Sequence, residues 1–175
     1  VYLFVGNDQV KLDQIPQAQS SLISFNPKTG EVLSYVGGSV FNDSQFDRVR
    51  QSYPQSGSVF KPFIYASAFS GGYNPSSLIN DAPIIFEDEN LETFWRPENY
   101  SGKFYGLTTL REALVQSINI VSIKLLREIG VKKSSETVDN FGFGIDRLPQ
   151  DLSLALGSGN FSPAEVARGF SVFAN

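Results

Sequence analysis

The chain has 175 residues, is 41% hydrophobic with 15 Phe, and carries a formal net charge of −4; that suffices for one globular domain with its own core, and without a Lys/Arg run nucleic acid is not an expected partner. It contains no Cys and no His, which excludes disulfides, thiolate chemistry, Ser-His-Asp and Cys-His catalysis and His-ligated zinc. It also lacks Met, even at position 1, so it reads as an internal piece of a longer protein, with any membrane anchor or export signal outside it.

Residues 1–19 read as an entering strand, VYLFV, followed by a polar connecting segment. SSLISFNPKTGEVLSYVGGSV, from residue 20, reads as a hairpin turning at Asn26-Pro27-Lys28-Thr29-Gly30. An irregular polar stretch then leads to SGSVFKP, where Ser58 and Lys61 stand three apart. Pro62 breaks no helix if Ser58 opens one, because the first four N–H groups of a helix lack internal partners. Apolar Val59, Phe60, Phe63, Ile64 and Ala68 continue at helical spacing to Gly71-Gly72. On that helix Ser58 and Lys61 share a face, hydroxyl near ammonium.

Residues 72–107 are rich in Pro, Asn, Asp and Gly but also in aromatics, and read as an ordered loop region with short strands. Trp95, Tyr100 and Tyr105 are expected to pack in core or loop rather than to line a cleft. TTLREALVQSINIVSIKLLREIG starts with a capping-box pattern, Thr109 with Glu112, and reads as one helix or as two broken near Ser117–Asn119. SSETVDNFG reads as a short helix. SPAEVARGFSVFAN repeats the capping logic with Ser162, Pro163 and Glu165, and its expected buried stripe is Val166, Phe170 and Phe173.

A Ser-x-x-Lys pair occurs about once by chance in such a composition, and taken alone it reads first as an N-cap serine with a solvated lysine one turn later. The chemical alternative has a physical basis. A serine hydroxyl becomes a nucleophile when a neighbour takes its proton, and a lysine does so only as a neutral amine. Burial and the positive end of a helix both lower its pKa. The N–H of a serine at the helix start also faces a developing oxyanion.

Ser-x-Asn triplets occur at Ser24–Asn26, Ser117–Asn119 and Ser158–Asn160. Order and context favour Ser117–Asn119, downstream of Ser58 at a helix break. By itself that pair reads as caps of the second helix. Lys28-Thr29-Gly30 precedes Ser58 and falls in a turn, so it is assigned no catalytic part.

NPKTGEVLSYVGG, FDRVRQSYPQSGSVFKPFIYASAF, DAPIIF, WRPENYSGKFYGLTTLREALVQSINIVS and LSLALGSGNFSPAEVARGFSVFAN together resemble the transpeptidase domain of class A, high-molecular-weight penicillin-binding proteins. The resemblance spans about residues 12–175. It implies an α/β fold, an antiparallel sheet flanked by helices with a helical subdomain beside it, and it covers the N-terminal part of the domain, because no Lys-Thr-Gly follows Asn119. Residues 20–38 would give sheet strands, the Ser58 helix the buried central helix, and residues 108–130 the helical side.

The resemblance further implies that Ser58 attacks the D-Ala–D-Ala carbonyl of a peptidoglycan stem peptide derived from lipid II. Lys61 would take its proton, Ser117 would relay a proton between Lys61 and the leaving group, and Asn119 would bind the substrate amide. β-Lactam antibiotics would trap Ser58 as an acyl-enzyme. No cofactor or metal is called for. The expected place is outside the cytoplasmic membrane, the remainder of the transpeptidase domain being a further partner. A non-turnover β-lactam sensor, a D,D-carboxypeptidase and a non-enzymatic cell-wall scaffold compete with this reading.

Overall fold

The structure is a computed structural model that describes residues 2–6, 9–13, 18–42, 44–88 and 93–175. Its strands form four antiparallel pairs. β1 (Tyr2–Gly6) pairs with β2 (Gln9–Asp13), and β3 (Leu22–Phe25) with β4 (Val32–Val36). β5 (Leu78–Asp81) pairs with β8 (Gly106–Thr109), and β6 (Phe86–Asp88) with β7 (Thr93–Trp95). The helices are α1 (Lys61–Ser70), α2 (Leu110–Val115), α3 (Asn119–Ile129), α4 (Val131–Asp139) and α5 (Pro163–Ser171).

α1 is apolar around most of its circumference, as expected of a helix buried on several sides. It is preceded by a 3₁₀ turn, Gly57–Phe60, with Pro62 in the first α-helical turn where no hydrogen bond is forfeited. Two cores meet on it. Phe60, Phe63 and Ile64 pack with Ile123, Leu126, Val138, Phe143 and Phe161 on one side. Tyr65 and Ala68 pack with Ile79, Leu110, Ala113, Val121 and Leu125 on the other. The ring of Phe63 lies within 5.5 Å of the rings of Phe60, Phe141, Phe143, Phe170 and Phe173, mostly tilted or edge-on, the arrangements that aromatic quadrupoles favour. α1 is therefore the buried central helix, and α3 packs along it through both cores.

The hairpin forms with its turn at residues 26–30. Gly30 takes a φ of 74°, and Lys28 N donates to Asn26 Oδ1, so Lys28-Thr29-Gly30 is turn structure. Leu22, Val32, Leu33, Tyr35 and Val36 are all exposed on this pair. The stretch from residue 108 makes two helices. Thr109 Oγ1 accepts from Glu112 N at the start of α2, and the break falls at Gln116–Ile118.

Several elements differ from expectation. Gln9–Asp13 is a strand rather than part of a polar connection, because antiparallel pairing with β1 satisfies its backbone whatever its side chains; residues 14–17 of that connection lie outside the described residues. α4 starts at Val131, directly after Gly130, whose φ of 90° turns the chain out of α3. α5 has the complete Ser162–Glu165 capping box, yet its stripe is only half-covered: Phe170 and Phe173 remain 36% and 49% exposed while their inner edges touch Phe63.

Candidate active site

Ser58 lies in the 3₁₀ turn that opens the central helix and is exposed. Its N–H belongs to a first turn, where no intrahelical acceptor exists. The segment leading into it is strapped down by residues 157–160. Ser56 N donates to Gly159 O at 3.0 Å and Gly57 N to Gly157 O at 2.9 Å. Ser56 Oγ donates to both of those carbonyls at 3.2 Å, and Gln55 bridges to Asn160. Gly157 has a φ of 72°, and a Cβ there would stand 2.0 Å from Gly57 O, so glycine is required by the backbone angle and by the contact. The third Ser-x-Asn triplet thus sits in a turn whose backbone secures the approach to Ser58.

Lys61, one turn on, is 1% exposed. Its Nζ donates to Ser117 O at 2.6 Å, Asn119 Oδ1 at 2.8 Å and Ser117 Oγ at 3.1 Å. An ammonium has three N–H donors, and these three acceptors use them all. Among the described residues no hydrogen bond joins Lys61 to Ser58. A buried ammonium must satisfy every donor, and the Ser117–Asn119 segment offers three oxygens for it. Burial lowers the Lys61 pKa from 10.5 to about 8, and the three acceptors oppose that shift by favouring the charged form.

Ser117 is the one non-glycine residue with positive φ among the described residues, at 54°. Such a conformation costs a non-glycine residue of the order of 1 kcal/mol and collects at functional sites. Here it ends α2, turns both the carbonyl and the hydroxyl of Ser117 onto Lys61, and lets α3 begin two residues later. Neither Ser117 nor Asn119 caps α3 with its side chain; the N-cap residue is Ile118, without a side-chain hydrogen bond. The cap comes from Asn99, whose Oδ1 accepts from Asn119 N at 3.0 Å and Ile120 N at 3.1 Å. Asn99 Nδ2 donates to both oxygens of Asp81 at 2.9 Å and to Lys103 O at 2.8 Å. Glu98 contributes its carbonyl, which accepts from Asn119 Nδ2 at 2.9 Å.

Three of the four residues selected from the sequence, Lys61, Ser117 and Asn119, are thus directly bonded, with Ser58 at the mouth of the same helix. Asp81, Asn99 and Gly157 were not legible, because each acts on a partner at least 18 residues away in the chain. The glycine pair in GSGN was the only local sign of the last. Of the aromatics, Trp95 packs against the core, whereas Tyr100 is fully exposed and Tyr105 half-exposed. Tyr105 lines a cleft of about 670 Å³ with Leu107, Thr108, Thr109, Glu112, Gln116 and Ile118, on either side of Ser117 in sequence.

An exposed hydroxyl at the head of the helix, a buried amine of moderate pKa and a second hydroxyl bonded to that amine are the kinds of group that serine acyl transfer requires. Among the described residues no cluster of acidic side chains could hold a metal, and no helix is long and apolar enough to cross a membrane.

Comparison with known proteins identifies the family. The penicillin-binding protein transpeptidase domain matches residues 21–175. Penicillin-binding protein 1A of Pseudomonas aeruginosa is 49% identical over 162 residues, covering 93% of this chain and 20% of that protein. The chain therefore spans about a fifth of the length of the curated relatives it matches. The crystal structure of penicillin-binding protein 1A from Haemophilus influenzae superposes with a TM-score of 0.91 at 38% identity, covering 95% of this chain and 25% of that one. PonA1 from Mycobacterium tuberculosis, solved in complex with penicillin V, has the same fold, with a TM-score of 0.76 at 19% identity over 90% of this chain and 45% of its own.

Proposed function

The chain belongs to the penicillin-binding protein transpeptidase family, and on that footing we propose that it carries the acylation machinery of a peptidoglycan D,D-transpeptidase, with Ser58 as nucleophile. Ser58 Oγ attacks the carbonyl of the penultimate D-Ala of a stem peptide. Its proton passes to neutral Lys61 Nζ, and the terminal D-Ala leaves as an amine after receiving a proton through Ser117 Oγ. An acceptor amine then takes the acyl group from Ser58. β-Lactams present the same acyl carbon and stop at the acyl-enzyme.

The observation that carries this reading is the buried Lys61 Nζ held between Ser117 and Asn119. Its lowered pKa leaves about a tenth of the molecules with a neutral amine at pH 7. Of its three acceptors only the Ser117 hydroxyl can also donate, so the proton's path out of Lys61 runs through Ser117. Asn119, whose Oδ1 is engaged by Lys61 and one of whose N–H groups is taken by Glu98 O, has its second amide N–H for the substrate. The Ser58 N–H supplies one oxyanion donor. The second donor and the carboxylate-binding residues come from the family's Lys-Thr-Gly strand, outside this chain. The setting is the outer face of the cytoplasmic membrane, with the anchor in another segment of the protein.

The test is intact mass after incubation with benzylpenicillin, on the protein at its full natural length and on its Ser58→Ala form. A gain of one drug mass that vanishes in the variant supports the reading, and no adduct on the parent overturns it. Products formed from a stem-pentapeptide donor and an amine acceptor then separate cross-linking from simple release of D-Ala.

A further inference from the structure

We infer that Asp81 and Asn99 are positioning residues of this site: the buried Asp81 carboxylate orients the Asn99 amide, which sets the start of α3 and so holds Ser117 and Asn119 against Lys61. The inference rests on the reading of Ser58 and Lys61 as nucleophile and base.

Asp81, at the end of β5, is fully buried, and Asn99 is 6% exposed. A carboxylate so buried is retained only where its oxygens are bonded. Asn99 Nδ2 donates to both, and Tyr105 N adds a bond to Oδ2 at 2.9 Å. This fixes which end of the Asn99 amide is which. A flipped amide would set its oxygen against the carboxylate and its NH₂ against two N–H donors. With Oδ1 thus committed, Asn99 accepts from the N–H groups of Asn119 and Ile120.

The neighbouring peptide finishes the work. Glu98 O accepts from Asn119 Nδ2, which turns Asn119 Oδ1 toward Lys61 Nζ. Residues 98–99 therefore define both the backbone and the side-chain amide of Asn119. They also anchor the far side of the strained Ser117, whose carbonyl takes the shortest of the Lys61 bonds. α3 would need no more than any N-cap if stability were the only demand; here the cap is imported from 20 residues upstream and is itself oriented by a buried charge.

The test uses the protein at full natural length, reading the benzylpenicillin acylation rate of Ser58 per folded molecule, from the final adduct yield, across pH. In Asn99→Ala the rate is expected to fall roughly 100-fold, the scale of an ångström-level misplacement. The midpoint of its pH–rate curve is expected to move down, because the Lys61 ammonium loses a fixed acceptor. In the exchange variant Asp81→Asn/Asn99→Asp, the carboxylate at 99 still accepts from both α3 N–H groups and the amide at 81 donates to it, while only the bond to Lys103 O is lost, so the rate is expected to stay within about tenfold of the parent's and the midpoint near it. Asn99→Ala acylating at the parent rate with the parent midpoint would reduce the pair to a helix cap and overturn the inference. If Asn99→Ala does not fold, the exchange variant decides, and a folded exchange variant that acylates no faster than 1% of parent overturns it. A parent that forms no adduct overturns the nucleophile reading and this one with it, whereas an active parent leaves the first standing whatever the variants do.

Discussion

Replacing Gly157 by Ala tests whether the strap over residues 55–57 places the nucleophile. The new methyl would lie 2.0 Å from Gly57 O and 2.7 Å from Gly57 C. Ordinary contact starts near 3.4 Å, so the two backbones must part by about 1.4 Å. The Gly57 N–Gly157 O bond, 2.9 Å long, is then lost, and the neighbouring Ser56 bonds are stretched past useful length. Two or three hydrogen bonds at about 1 kcal/mol each, plus about 1 kcal/mol for Ala at a φ of 72°, total about 3–4 kcal/mol. A domain with ordinary stability of about 5–15 kcal/mol survives that loss, but Ser58 moves with its anchor. A shift of this size is expected to slow acylation about 100-fold. The assay pairs thermal unfolding with the rate of fluorescent-penicillin labelling. Gly30→Ala is the control, since Gly30 has a similar φ of 74° and open space around it; it should lose about 1 kcal/mol and label at the parent rate. Equal labelling by both variants would refute the reasoning.

Other outcomes follow from the same geometry. Burial lowers the Lys61 pKa to about 8, so if its neutral form is the base, as proposed, the acylation rate should rise about tenfold from pH 6 to pH 7 and level off above pH 8; a flat profile measured by stopped-flow labelling would remove Lys61 from that role. Ser117→Gly relieves the φ of 54°, worth about 1 kcal/mol, but leaves one N–H of the buried Lys61 without its acceptor, which costs about 1–3 kcal/mol; denaturant melts should therefore show no gain and a loss of up to about 2 kcal/mol, while labelling slows about 100-fold or more through loss of the proposed relay hydroxyl. The hydroxyl of Ser67 on α1 is buried with no partner, so Ser67→Ala should leave labelling intact and stabilise by up to about 1 kcal/mol, visible as a rise in Tm.

What the sequence made legible is what it encodes locally. Ser58 and Lys61 show as a spacing, Thr109 and Ser162 as caps three residues ahead of Glu112 and Glu165, and the break at Ser117 as an interruption between two apolar runs. What it hid is what the chain brings together from afar. Asn99 sits in a polar loop and reads as a turn residue, yet it caps a helix 20 residues downstream. Lys61 reads as the neighbour of Ser58, yet its bonds go to residues 56 and 58 positions later. Phe170 and Phe173 have the period of a buried stripe, but periodicity specifies a face, not how fully a neighbour covers it. The alternation of β3 and β4 marks strands equally well, and in the structure their apolar side chains are largely exposed.

The strap between residues 55–57 and 157–160 also bears on when reactivity appears. Its side-chain bonds join positions 101 and 103 apart in sequence. Contacts of that reach form late, after the entropy of closing so long a loop has been overcome. A chain emerging from the ribosome would expose serine, lysine, second serine and asparagine well before Gly157 exists, and all four would stay inert until it arrives. On the proposed reading, covalent labelling by a penicillin would count folded molecules, and the reagent would serve as a clock for maturation.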